Sequence, residues 1–223
     1  MKKVLVLAPH MDDEVLGLGG TISKHVKLGC TVKVCFVCNR AYGHKYEDTL
    51  IEKEKNHALE AKRILGYQNH VFLDLNDETL DERLIDTIIP IERVVHEFKP
   101  EIVYLPHKGD NNQDHRAVFL AAMVALRSFA APFVNEIYTY EVPSSTEQAA
   151  PLVENIFCPN RYVDISEFVE IKKRALECYQ TEKRSYPHPR SVKAIEVWGM
   201  KRGVEAYLEH AEAYVSIRSI ERN

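Results

Sequence analysis

Two short segments of the chain crowd imidazole and carboxylate side chains together, and the first is Pro9-His10-Met11-Asp12-Asp13-Glu14. It places one imidazole and two carboxylates within residues 10–13. Adjacent carboxylates repel each other unless a cation or hydrogen bonds compensate, and His with Asp is a usual ligand set for a divalent metal. The alternative is that Asp12 or Asp13 caps a helix while His10 ends a strand. This segment alone leaves both interpretations open.

The second segment, residues 106–116, again brings His, Asp and Arg side chains into a turn before a helical pattern. Catalytic zinc typically takes three protein ligands and leaves the fourth position to water. One His and one carboxylate from the first segment, with one His from the second, complete that count. The two segments together predict a catalytic zinc site, which neither predicts alone.

The elements that must position these segments follow from the spacing of apolar residues. Strand-like runs rich in Val, Ile, Phe and Tyr are predicted at residues 3–8, 31–37, 70–73, 101–105 and 136–140. Helices are predicted at residues 13–28, 48–65, 82–98, 114–129, 166–180 and 192–208. This alternation predicts an α/β fold with a Rossmann-like, open, mostly parallel sheet and helices on both faces. We expect a single domain over residues 1–223 with a less regular C-terminal part.

In an open parallel sheet, ligands bind beyond the carboxyl ends of the strands, where the strand order reverses. The loops to consider are therefore residues 10–13, 39–46, 74–79 and 106–114. The first and last of these belong to the two segments above. We expect them to face each other across neighbouring strands.

The composition indicates which class of partner and which cellular compartment to expect. The formal net charge is −4 with no polybasic stretch, which predicts a small-molecule substrate and neither nucleic acid nor membrane as partner. The apolar run 4–8 stops at Pro9, too short for a signal-peptide core or a membrane span. Five cysteines, an odd number, fit a reducing compartment as free thiols, and Cys35 and Cys38 are interpreted as buried structural thiols. We expect a soluble cytoplasmic protein, and a homo-oligomer is compatible with the sequence.

Several segments resemble one known family. Pro9-His10-Met11-Asp12-Asp13-Glu14 resembles the P-H-P-D-D-E signature of the LmbE/PIG-L family of zinc N-acetylglucosaminyl deacetylases, and Asp114-His115-Arg116-Ala117-Val118 is similar to its D-H-R-A-V segment. Residues 61–66, 188–191, 202–203 and 211–214 also resemble short motifs of that family. The two metal motifs together are specific to the family, whereas each C-terminal motif by itself is weak evidence.

The resemblance implies that His10, Asp13 and His115 bind Zn²⁺ and that Asp12 stands beside the metal-bound water. Asp12 would take a proton from that water and return it to the departing amine. Asp114 would orient a neighbouring side chain or cap the following helix, and the two roles are compatible.

Two departures from the family pattern concern substrate contacts. Asn112 stands where many members carry a His that donates to the developing oxyanion, and an amide can donate but cannot change charge. No Arg occurs between residues 48 and 60, where some members direct one at the pocket. Arg40, Arg116 or Arg190 is expected to replace it.

The remaining expected substrate contacts lie in loops. His188 is expected to join Arg190 over the pocket, although a solvated loop would look the same. In loop 40–47, Tyr42, His44 and Tyr46 are expected to stack on or bond to a sugar, although ordinary loop residues would look the same.

Together these observations predict a zinc-dependent hydrolase that removes the N-acetyl group from an N-acetylglucosamine-type sugar conjugate by attack of metal-activated water. The alternatives are a metal-dependent phosphoesterase and a non-catalytic metal- or nucleotide-binding relative. The glycines of Gly17-Leu18-Gly19-Gly20 motivate the nucleotide option, but they fall inside the helical pattern, so we interpret them as close packing. We expect loops 40–47 and 143–159 to determine which group is linked to the sugar in the substrate.

Overall fold

The structure is a computed structural model that describes residues 1–39 and 48–222. Over these residues a seven-stranded sheet has the order β3-β2-β1-β4-β5-β7-β6. Its strands are β1 (Lys3–Ala8), β2 (Thr31–Asn39), β3 (Asn69–Asn76), β4 (Ile102–Pro106), β5 (Glu136–Tyr140), β6 (Arg161–Asp164) and β7 (Ala211–Ser219). The first five strands pair in parallel, and β7 pairs antiparallel with both β5 and β6.

Helices cover both faces of this sheet. They are α1 (Asp13–Lys27), α2 (Asp48–Leu65), α3 (Leu84–Phe98), α4 (Gln113–Ala125), α5 (Val169–Glu177) and α6 (Val192–Ala206). One apolar core joins α1, α2 and α5 to the sheet, and a second core joins α3 and α4 to its other face. The predicted α/β class with a mostly parallel sheet and helices on both faces is confirmed.

β1 explains why the sheet has two cores. Val4, Val6 and Ala8 belong to one core, whereas Leu5 and Leu7 belong to the other. All five are fully buried. A parallel strand covered by helices on both faces must be apolar along its whole length, and this run of the sequence has that character.

Two strands were not predicted from the sequence. β6 has only four residues, and β7 lies in a part of the chain that was interpreted as less regular. β6 is the edge strand of the sheet and pairs antiparallel with β7, which itself depends on pairing with the distant β5. The helix predicted at 166–180 is also shorter, because α5 covers only Val169–Glu177.

The strand order places the two chemical segments side by side. β1 and β4 are parallel neighbours, and the chain leaves β1 toward β2 on one side and reaches β4 on the other. The loops after β1 and β4 therefore meet at the point where the strand order reverses. This confirms the expectation that they face each other.

The glycines of α1 are packing residues. A Cβ on Gly17 would lie 2.3 Å from Tyr140 Cδ2, and one on Gly20 would lie 2.7 Å from Ile165 Cγ2. Neither position has room for a side chain, so α1 approaches its neighbours closely only because these residues are glycine. The close-packing interpretation is confirmed. Among the described helices, none has the length and apolar character needed to cross a membrane.

Candidate metal centre and active site

Three side chains from the two facing loops bring three potential ligand atoms together. His10 Nδ1 lies 3.3 Å from both Asp13 Oδ2 and His115 Nε2, and His115 Nε2 lies 3.2 Å from Asp13 Oδ2. A tetrahedral zinc ion with ligands at about 2.0–2.1 Å needs ligand-to-ligand separations of roughly 3.3–3.4 Å. The observed triangle has the size of one face of such a tetrahedron. These three residues therefore fit a zinc ion.

The other nitrogen of each imidazole contacts a buried carboxylate. His10 Nε2 lies 3.0 Å from Asp114 Oδ2, which also accepts a hydrogen bond from the backbone N–H of Glu78 at 2.9 Å. His115 Nδ1 lies 3.2 Å from Asp110 Oδ2, although this pair is not aligned as a hydrogen bond. A carboxylate beside one ring nitrogen favours the proton there and leaves the other nitrogen free for a metal. The two free nitrogens are then those of the triangle.

Asp110 is held by its own set of donors. It accepts hydrogen bonds from the Ser145 and Thr146 hydroxyls and, at 2.9 Å, from the backbone N–H of Asn112. Each carboxylate oxygen therefore has a hydrogen-bond donor within the protein. These contacts suit a group that positions His115. The sequence reasoning did not foresee this role, although Asp110 lies in the same crowded segment.

Asp12 lies beside the triangle but is not part of it. Its Oδ2 lies 3.3 Å from Arg190 Nη1, and its side chain is almost completely buried. Its backbone φ is 121°, which L-residues rarely adopt and which costs of order 1–3 kcal/mol. The backbone N–H of Asp12 donates to Glu14 Oε2 at 3.2 Å, and Glu14 Oε1 accepts a 2.6 Å hydrogen bond from the Tyr179 hydroxyl. Glu14 and Tyr179 thus support the strained turn.

Burial and neighbouring charges separate the two adjacent aspartates. Burial raises the pKa of Asp12 to about 7, against the opposing charge of Arg190. Burial alone would also raise the pKa of Asp13, but His115 and His10 hold it well below its usual range. A carboxyl with a pKa near neutrality suits a general base at physiological pH, whereas Asp13 stays ionised as a metal ligand requires.

The imidazoles show that the cluster favours positive charge. Burial lowers the pKa of His10, but its contacts with Asp114 and Asp13 more than offset this and raise it to about 9. Burial likewise lowers the pKa of His115, whereas Asp13 and Asp110 raise it to about 10. A divalent cation would supply this charge in place of the two protons. His10 is 25% exposed while Asp13 and His115 are each 2% exposed, so the cluster is open on the His10 side.

Comparison with known proteins identifies the family. Residues 5–126, which are 122 of the 223 residues, match the family described as PIG-L: GlcNAc-PI de-N-acetylase. The chain belongs to the PIG-L family. This confirms the resemblance found in the sequence motifs.

Similar proteins and solved structures show which activities occur in other proteins with this fold. The diacetylchitobiose deacetylase of Thermococcus kodakarensis is 29% identical over 197 residues, which are 82% of this chain and 70% of that protein. The structure of N,N'-diacetylchitobiose deacetylase from Pyrococcus horikoshii is 20% identical with a TM-score of 0.78, over 97% of this chain and 84% of that one. The structure of a 4-carboxy-2-hydroxymuconate hydratase from Pseudomonas putida KT2440 is 22% identical with a TM-score of 0.78, over 100% of this chain and 99% of that one. The same fold therefore supports more than one activity.

The other predicted site residues are distributed around this PIG-L centre. Arg190 lies closest, because its Nη1 contacts Asp12 and donates to Glu182 Oε2 at 2.6 Å, while its Nε donates to Ser144 Oγ at 2.7 Å. His188 is exposed and accepts a hydrogen bond from the backbone N–H of Arg190 at 3.1 Å. The structure therefore brings Arg190 to the centre and leaves His188 on the surface beside it.

Two residues of the second segment serve the local structure of the loop. Arg116 is exposed, and its Nη1 donates to the backbone carbonyls of Asp110 and Asn111, both at 2.7 Å. Asn112 is the N-cap of α4, since its Oδ1 accepts from the backbone N–H of Asp114 at 2.8 Å. The helix cap considered for Asp114 is therefore provided by Asn112. Arg40, Tyr42, His44 and Tyr46 lie outside the described residues.

Cys38 forms a second group of potential ligands with His10 and Asp114. Burial raises the pKa of the Cys38 thiol well above its usual range. Because a thiol binds metal as the thiolate, this group is the poorer candidate, and the buried position of Cys38 agrees with its interpretation as a structural residue.

Proposed function

We propose that this protein is a zinc-dependent hydrolase that removes the N-acetyl group from an N-acetylglucosamine-type sugar conjugate. The observation that carries the proposal is the triangle of His10 Nδ1, Asp13 Oδ2 and His115 Nε2 with the buried carboxylate of Asp12 beside it. The description of the family and the name of the Thermococcus relative support the choice of an acetylated aminosugar.

His10, Asp13 and His115 would hold the metal and leave a fourth position open. A zinc ion bound in this way acts as a Lewis acid that lowers the pKa of water to about 7 and polarises a carbonyl group. Asp114 and Asp110 keep the two imidazoles in the orientation that such a site needs, through their contacts at 3.0 Å and 3.2 Å.

Asp12 is the proposed proton carrier. It accepts a proton from the attacking water, whose oxygen forms a bond to the acetamide carbon. When the carbon–nitrogen bond breaks, Asp12 returns that proton to the departing amine nitrogen, so that the products are acetate and a free amine. Arg190 orients the Asp12 carboxylate and favours its ionised form.

The proposed substrate contacts come from the loops around the metal centre. The Asn112 side-chain oxygen is used in the cap of α4, which leaves its amide nitrogen as a donor to the substrate carbonyl. Arg40, His44, Arg116 and His188 stay proposed substrate-binding residues. The five cysteines are free, which suits the cytoplasm that we propose as the location.

The proposal is tested by measuring zinc content and acetate release on the purified protein with a panel of N-acetylglucosamine conjugates. We expect one zinc per chain, activity that is lost with a chelator, and recovery when zinc is restored. Release of acetate from acetyl-lysine peptides but from no aminosugar would overturn the substrate class. Hydrolysis of phosphoesters without acetate release would favour the phosphoesterase alternative.

A further inference from the structure

One side of α6 carries a row of apolar side chains that are exposed to solvent. Val197 and Met200 are 48% and 49% exposed, and Val204 is 81% exposed. Their spacing of three and four residues places all three on the same side of a helix. Tyr207, three positions further at the end of α6, is fully exposed. We call these four residues the α6 stripe.

The opposite side of α6 is the one that joins the protein core. Ile195, Gly199 and Gly203 are buried there, and α6 packs against β7. An ordinary surface helix has one apolar side, which faces the core, and polar residues on the other side. Because α6 has apolar residues on both sides, the stripe is not what holds this helix on the sheet.

Tyr207 has a backbone conformation that is unfavourable for its residue type. It is the C-cap of α6 in the left-handed region, with φ 59° and ψ 45°. Glycine usually occupies such a position, because a Cβ makes this conformation less favourable. A fully exposed ring does not offset that cost by packing within its own chain. The ring is therefore available for contact with another molecule, and Tyr is enriched in protein interfaces.

The charged groups beside the stripe are paired within the chain. Lys201 Nζ lies 3.0 Å from Glu205 Oε1, and Lys173 Nζ lies 3.4 Å from Glu196 Oε1. Two copies of one surface bring like charges together when that surface has a net charge, and the pairing of acids with bases avoids this repulsion. A helix that binds membranes has a border rich in Lys and Arg, which this mixed border does not resemble.

A second copy of this chain fits the stripe in size and in symmetry. The four side chains together expose on the order of 500 Å², of which a Tyr supplies about 150–250 Å², so two copies would bury roughly 1,000 Å², the lower bound of a specific interface. The spacing of three, four and three residues reads the same from either end. A two-fold antiparallel pairing of identical helices needs a surface of this kind.

We propose that the α6 stripe is the interface of a homodimer in which α6 packs antiparallel against α6 of a second copy. Met200 of each chain contacts Val204 of the partner subunit, and Tyr207 lies near Val197 of the partner subunit. The inference goes beyond the proposed function, because it does not depend on the reaction.

Sedimentation of the full chain tests the interface. We expect the wild type to be dimeric at about 50 µM and Val204→Glu to be monomeric, because its carboxylates would be buried in an apolar contact. Phe129→Glu is the matched control and should stay dimeric, since Phe129 is 77% exposed after the end of α4. A monomeric wild type, or a dimer that Val204→Glu leaves unchanged, overturns the proposal.

Tyr207→Gly separates association from folding. Glycine adopts the left-handed conformation freely, so this variant should have a higher Tm than the wild type in dilute, monomeric samples. Its dimer should have a Kd about 100-fold higher, a factor of about ten for the ring lost from each copy. Equal dimer affinity in the two proteins overturns the proposal.

Cysteine cross-linking tests the antiparallel direction. In a Cys158→Ser background, which removes the exposed native cysteine, Met200→Cys mixed with Val204→Cys should form a disulfide-linked dimer under mild oxidation, whereas either variant alone should not. A link formed by one variant alone and not increased by mixing contradicts the antiparallel pairing. A monomeric protein that binds anionic lipid vesicles, and loses this binding in Val204→Glu, would assign the stripe to a membrane surface and overturn the proposal.

Discussion

Asp12 and Asp13 are adjacent in the chain, yet their carboxylates have different partners. Asp13 Oδ2 lies within 3.3 Å of a nitrogen of both His10 and His115, whereas Asp12 Oδ2 lies 3.3 Å from Arg190 Nη1. The positive φ of Asp12 accompanies this separation, since the backbone turns between the end of β1 and the start of α1. Two residues of the same type can therefore take different roles.

The first prediction separates these roles by isosteric substitution. Asp12→Asn should keep its zinc and lose about 10²–10⁴ in turnover, because an amide cannot accept the proton of water. Asp13→Asn should instead lose zinc affinity, since an amide is a poorer ligand and carries no charge, and excess zinc should restore part of its activity. Metal analysis and acetate release on both variants measure the difference. Zinc rescue of Asp12→Asn alone would mean that the roles are reversed.

The second prediction concerns the two carboxylates that contact the imidazoles. Asp110→Asn and Asp114→Asn should each weaken zinc binding about 10–100-fold, because they lose the charge that fixes His115 and His10. Competition with a chromophoric chelator measures the affinity. Asp81→Asn, at an exposed position, is the control. Wild-type zinc affinity in both variants would show that the contacts do not support the ligands.

The third prediction tests whether Arg190 acts through Asp12. Arg190→Gln should lower kcat by about tenfold, and its effect should largely vanish in an Asp12→Asn background, as expected for two residues that act as a unit. Arg184→Gln is a suitable control, since Arg184 shares the partner Glu182 and has no described contact with Asp12. Additive effects of the two substitutions would assign Arg190 to the substrate instead.

The fourth prediction concerns the stability of the C-terminal strand. Buried Glu212 on β7 accepts hydrogen bonds from the backbone of Gly20 and Thr21 on α1 at 3.0 Å and 2.7 Å, and from Lys172 Nζ on α5 at 2.7 Å. Lys172→Met should lower the free energy of unfolding by about 3–5 kcal/mol, because Glu212 would keep a buried charge without its cation. Chemical denaturation measures this change.

A neighbouring lysine provides the control for that measurement. Lys173 pairs with Glu170 at 2.8 Å on the surface, so Lys173→Met should change the free energy of unfolding by about 0–1 kcal/mol. The double variant Lys172→Met with Glu212→Gln should recover part of the loss, because no unpaired charge is then buried. Equal destabilisation by Lys172→Met and Lys173→Met would contradict a structural role for the buried pair.

Local sequence pattern was sufficient for the framework of the site. The bounds predicted for β1, α2 and β5 agree with the structure, because an apolar run between turn signals is a local property. The meeting of the loops after β1 and β4 followed from the general geometry of parallel sheets. The residue types of the two segments then indicated a metal, and the family resemblance implied His10, Asp13 and His115 as its ligands.

The tertiary structure decided which groups act on those residues. Asp110 is held by hydroxyls of residues 145 and 146, Glu14 accepts a hydrogen bond from Tyr179, which lies 165 positions away, and β7 pairs with the distant β5 and with β6. Such contacts depend on how distant segments pack, and no local pattern of side chains encodes their distances. The sequence by itself determined the chemistry available at the switch point, and only the packing of remote segments decided how each group is oriented and what lies next to it.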